Sequence, residues 1–137
     1  MNNRLAGLAL GAALAMLATG SGAQQKKQID FVYFGAQDCP VCRAWESKEL
    51  LELKASPTFQ RVRYTKVTKL IASPVPSSFW FPREIEHLQE PIASSIKGGG
   101  SPIFSFLVDG KVVATWKGTS RKPAAIIAMI EKAETKQ

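Results

Sequence analysis

A chain of 137 residues with 45% hydrophobic and 21% charged residues is sized for one domain and has enough apolar side chains for a packed core. Its formal net charge is +7, but the basic residues are scattered, as in Lys26-Lys27, Arg61-Arg63, Lys66-Lys69 and Arg121-Lys122. That scatter argues against nucleic-acid binding, which gathers basic residues on one face between aromatic platforms; the charge favours acidic clients or an anionic membrane surface instead.

Arg4 supplies a short positive region, Leu5 to Thr19 an apolar run, and Ser21-Gly22-Ala23 the small residues that a signal peptidase reads. The run is short for a bilayer span of about 20 residues, and it contains no Cys for lipid attachment. We therefore expect residues 1–23 to be a secretory signal peptide cut near Ala23. A retained membrane anchor is the alternative. Residues 24–137 would then be one exported domain, periplasmic in a Gram-negative-type cell.

Gln28 to Phe34, with IDFVYF in it, reads as a buried central strand. Gly35-Ala36-Gln37-Asp38 breaks it. A helix begins at Pro40, which costs no hydrogen bond in a first turn, and runs to Ser56, with Val41, Trp45, Leu50, Leu51 and Leu53 gathered on one side. Arg61 to Val67 alternates as a half-buried strand. Ser73 to Pro82 is a loop containing Phe79-Trp80-Phe81, read as packing more than as a client groove. Arg83 to Ile96 is a helix kinked or split by Pro91, and Gly98-Gly99-Gly100 is a flexible stop. Pro102 to Val108 and Lys111 to Trp116 are strands joined by a tight Asp109-Gly110 turn. Ser120 caps a last helix with its body at Ala124 to Ala133. The order β-α-β-α-β-β-α predicts an α/β fold, a mixed four-stranded sheet flanked by helices. A helical crossover makes the first two strands parallel.

The two cysteines, Cys39 and Cys42, are spaced C-x-x-C. A bridge across two residues constrains the unfolded chain very little, so it is a poor staple and a good redox couple. Thiol–disulfide exchange needs a thiolate, a resolving thiol and access. Cys39 stands at the helix start, where unpaired N–H groups and the dipole lower a thiol pKa from about 8.5. Cys39 is therefore the nucleophile, and Cys42, a turn further in, resolves the mixed disulfide. Pro40 stiffens the turn between them, and Val41 adds no charge. With neither a cation nor a His beside Cys39, the site points to a reductant or mild exchanger rather than a strong oxidant.

A C-x-x-C that follows a strand and opens a helix resembles the thioredoxin superfamily signature. The segment Gly100-Ser101-Pro102-Ile103-Phe104, then a hairpin through Asp109-Gly110-Lys111, Lys117-Gly118 and a final helix, is similar to the second half of that fold. The match spans about residues 28–135. The resemblance implies a thioredoxin-like fold and a protein thiol–disulfide oxidoreductase without a cofactor. It also implies protein thiols or disulfides as clients and a membrane or soluble redox partner. By it, Pro102 is a cis-proline facing the disulfide, and Ser101 offers backbone hydrogen bonds to an extended client. The chain departs from the family in three places: Asp38 precedes the first Cys, Pro-Val lies between the cysteines, and Tyr33 stands where thioredoxins carry a buried acid. Proton handling then falls to water or Asp38, and Asp38 also raises the Cys39 pKa by repulsion. The stretch from Val67 to Gly98 is too short for the helical insertion of Dsb-type oxidases.

Another reading keeps the fold without turnover: a module that binds copper through both thiolates, or a client adaptor. Zinc takes about four ligands, and the one histidine, His87, lies in a polar helical stretch, so no resident metal site is expected.

Overall fold

The computed structural model describes Gly22 and residues 25–136. Residues 1–23, expected to be a signal peptide, otherwise lie outside the described residues. Four strands form one mixed sheet: β1 (Ile29–Ala36), β2 (Arg63–Lys69), β3 (Ile103–Val108) and β4 (Lys111–Lys117), in the spatial order β2-β1-β3-β4. β1 is parallel to β2 and antiparallel to β3, and β3 is antiparallel to β4. β1 is buried along its whole length, as its unbroken apolar run requires.

Alternation along β1 and β3 sends side chains to two separate cores. On one face Phe31, Tyr33, Phe104 and Phe106 meet Trp45 of α1 (Pro40–Ser47), Leu50 and Leu53 of α2 (Glu49–Ala55), and Ile126 and Ile130 of α4 (Pro123–Thr135). On the other, Val32, Phe34, Val67, Ile103 and Leu107 meet Phe81, Ile85, Leu88 and Ile92. The last of these lies on α3 (Gln89–Ser95).

The register places Lys66, Tyr33, Phe104 and Trp116 in one row across all four strands. Trp45 docks α1 onto this row, its ring centroid 4.7 Å from that of Tyr33 and 4.9 Å from that of Phe104. The helix carrying the cysteines is therefore fixed to the middle of the sheet by aromatic packing.

Several local expectations change. The single helix over 40–56 is two helices, broken at Lys48 (φ −127°, ψ −74°). The Ser47 hydroxyl donates to the Ala44 carbonyl just before the break, a bond of the kind that bends helices. The break turns Leu50 and Leu53 inward while leaving Val41 and Leu51 exposed. The segment over 83–96 is a 3-10 turn (Arg83–Leu88) followed by α3, so Pro91 sits in a first turn, where its missing N–H costs nothing. Ser120 is exposed and caps nothing, because Pro123 takes the first helical position and makes Lys122 the cap. The Asp109-Gly110 turn has both residues at positive φ (49° and 76°), as a two-residue hairpin demands.

Candidate functional site

After β1 the chain turns through Gln37-Asp38, and the Cys39 N–H donates to the Ala36 carbonyl at 3.3 Å. Cys39 is extended and caps α1, its Sγ accepting the Cys42 N–H at 3.1 Å. One of the unpaired N–H groups of the helix start is thus directed at sulfur. No acidic residue lies in the first turn of α1, so nothing within the helix opposes its positive end. Cys39 and Cys42 are joined as a disulfide with Cα atoms 5.2 Å apart.

The Ser101–Pro102 peptide bond is cis. The Ser101 carbonyl oxygen lies 3.7 Å from Cys39 Sγ, and the Ser101 hydroxyl donates to the Phe34 carbonyl at 3.4 Å. Seven of the eight sequence-predicted site residues (Asp38, Cys39, Pro40, Val41, Cys42, Ser101 and Pro102) gather at the end of the sheet where β1 stops. Access differs from expectation. Cys39 is only 1% exposed, because the cis segment lies over the sulfur that a bare helix N-terminus would present to solvent. Val41 is exposed beside it.

No protein-family model and no curated protein matches the sequence. Among solved structures, the reduced periplasmic thioredoxin SoxS of Paracoccus pantotrophus superposes with a TM-score of 0.51 at 9% identity, covering 77% of this chain and 98% of that one. A point mutant of the thioredoxin of Halobacterium salinarum superposes at 0.50 and 18% identity, covering 80% and 78%. Thioredoxin-2, described as a component of malaria parasite protein secretion machinery, superposes at 0.50 and 19%, covering 82% and 89%. The chain has a thioredoxin fold.

Within that thioredoxin fold, Tyr33 is a departure with a structural consequence. Its hydroxyl donates to Glu46 Oε1 at 2.9 Å, and Lys66 Nζ reaches the same oxygen at 2.8 Å. Burial, and then the hydrogen bond and charge of Glu46, hold the Tyr33 phenol far above its ordinary pKa. It stays protonated and cannot serve as a base. Burial pushes the Glu46 carboxyl up, but hydrogen bonds from Lys66 and Tyr33 and the Lys66 charge outweigh it, and the group titrates below its usual range. Asp30 does not supply the missing acid. It pairs with Arg63 near the far end of β1 and lies on the opposite face. Asp38 is exposed, and its Oδ1 accepts the Ile71 N–H at 3.2 Å.

Sequence reasoning passed over Glu46 and Lys69. Glu46 follows Cys42 by four positions, one turn along the same helix face, a signal that was available. Lys69 gave none. It closes an alternating strand and reads as surface, yet it is buried. Among the described residues no group of three or more His, Cys, Asp or Glu side chains converges for a metal, and His87 is exposed. No described helix is long and apolar enough to cross a membrane. Phe81 packs against Phe34, while Phe79 and Trp80 stand in solvent, 82% and 71% exposed.

Proposed function

We propose that this chain is an exported protein thiol–disulfide oxidoreductase, periplasmic after removal of residues 1–23, working through Cys39-Pro40-Val41-Cys42. The observation that carries the reading is the Cys39–Cys42 disulfide capping α1 beneath a cis Ser101–Pro102 bond. In the reducing direction, the Cys39 thiolate attacks one sulfur of a client disulfide, and the other client sulfur leaves and takes a proton. Cys42 gives its proton to water and attacks Cys39 Sγ. The second client thiol departs and the Cys39–Cys42 bond reforms, so two electrons have passed to the client. A dithiol partner, in the membrane or soluble, reduces the pair again. An extended client lies along the backbone of Ser101. Among the described residues no cationic side chain hydrogen-bonds either sulfur, which favours reduction or mild exchange over strong oxidation.

Insulin reduction by the full chain, with a dithiol supplying electrons, tests the reading. Turnover that Cys39→Ser abolishes and that Cys42→Ser converts into a trapped mixed disulfide is the expected result. Stoichiometric copper(I) binding by the reduced chain with no exchange would establish the binding module instead. Sequencing the N-terminus of protein recovered from the periplasm tests export; a mature chain beginning near Gln24 is expected.

A further inference from the structure

The Lys69 side chain leaves the end of β2 and ends among backbone carbonyls. Its Nζ donates to Ser73 O at 2.7 Å and Gly100 O at 2.6 Å, with Leu70 O at 3.1 Å and Ile71 O at 3.2 Å. An ammonium has three N–H donors and no acceptor, so carbonyls alone complete its surroundings. The residue is only 8% exposed, and a buried charge persists only where such partners replace water. No carboxylate pairs with Lys69 among the described residues.

These carbonyls belong to two loops that flank the disulfide. The Gly100 N–H donates to Ile71 O at 2.8 Å, and the Ile71 N–H donates to Asp38 next to Cys39. A Cβ on Gly99 would stand 2.1 Å from the Ala72 carbonyl oxygen, so the two backbones touch there. From the opposite edge of the sheet, Lys117 Nζ donates to Lys97 O at 2.8 Å and Gly99 O at 2.7 Å. The triple-glycine segment, expected to be a flexible stop, is tied from both sides. Gly98 and Gly100 supply the positive φ (72° and 115°) that its path needs.

We infer that Lys69 is a positioning residue for client exchange, holding residues 70–73 and 99–101 together so that the Ser101 backbone is seated over Cys39 before a client arrives. The inference rests on the oxidoreductase reading. A client that must pair with Ser101 depends on that seat, and a small disulfide that needs only the sulfur does not. The apolar side chains of Leu70 and Ile71 are turned outward by the same hold and stand at the edge of the client's path.

The test compares wild type, Lys69→Met and Gly99→Ala as reduced full chains against insulin and against a small aromatic disulfide. Lys69→Met should lower kcat/KM for insulin about tenfold, mostly through KM, as expected for a misplaced positioning group, while the small disulfide reacts no more slowly than with wild type. Amide exchange at Ile71 and Gly100 should quicken, and the amides of β1 and β3 should stay protected. Gly99→Ala keeps the ammonium but forces the loops apart, and should give the same split even where Lys69→Met does not fold. Parallel loss in both reactions, or wild-type insulin reduction by both variants, overturns the inference. A wild type inert toward both disulfides removes the oxidoreductase reading instead, and unchanged exchange at Ile71 and Gly100 then also overturns the hold assigned to Lys69.

Discussion

Gly35→Ala is a one-carbon change with a specific victim. Gly35 follows Tyr33 on the same face of β1, and the tyrosine side chain lies over it. A Cβ there would stand 2.8 Å from Tyr33 Oη, 2.9 Å from Cζ and 3.0 Å from Cε1. The ring is fully buried and has no room to tilt, with Trp45 at 4.7 Å and Phe104 at 5.3 Å between centroids. Overpacking of this kind costs about 1–3 kcal/mol, and loss of the Tyr33–Glu46 hydrogen bond adds about 1 kcal/mol. The expected destabilisation is about 2–4 kcal/mol, a large share of the roughly 5–15 kcal/mol that holds such a domain together. With a urea m-value of about 1–2 kcal/mol per molar, the unfolding midpoint should fall by about 2 M. The decisive assay is the double-mutant cycle with Tyr33→Leu. In that background the ring is gone, and Gly35→Ala should cost little, giving a coupling energy of about 2 kcal/mol. Equal cost in both backgrounds would refute the contact as the cause.

The folded Glu46 carboxyl titrates below its unfolded value of about 4.3. Its stabilising contribution is therefore present above that value and disappears as pH falls through the folded pKa. Glu46→Gln should unfold at lower urea than wild type at pH 7, by the few tenths of a kcal/mol to about 1 kcal/mol of a partly exposed pair. The two midpoints should converge as the solution is acidified below pH about 4, and a gap that persists there would contradict the assignment. Asp38→Asn removes the negative charge of the residue that precedes Cys39, so reduced Cys39 should alkylate faster at mildly acidic pH; mass mapping that finds Cys42 labelled first would overturn the choice of nucleophile.

The features legible in the sequence are those set by neighbours along the chain. The helix start at Pro40, the hairpin at Asp109-Gly110 and the fully buried β1 each follow from local chemistry. The parallel first pair and the antiparallel last pair of strands were legible as well; the pairing of β1 with β3 between them was not. The Cys39–Cys42 spacing and Ser101-Pro102 likewise singled out two segments that the fold brings together, with Cys39 Sγ 3.7 Å from the Ser101 carbonyl oxygen. What could not be read depends on groups brought together from a distance. Lys69 is buried only because the loops after β2 and before β3 close around it. Tyr33, Glu46 and Lys66 lie on three different elements and meet through strand register and the docking of Trp45. The covering of Cys39 by the Ser101 carbonyl is of the same kind, since residues more than sixty positions apart produce it.

The hold exerted by Lys69 involves no side chain but its own. Every acceptor is a main-chain carbonyl, present whichever residue occupies the position. Leu70, Ile71 and Ser73 are therefore free to drift under mutation without loosening the frame that carries them. New preferences among clients can then arise at this rim by single substitutions, while the geometry around the sulfurs is inherited unchanged.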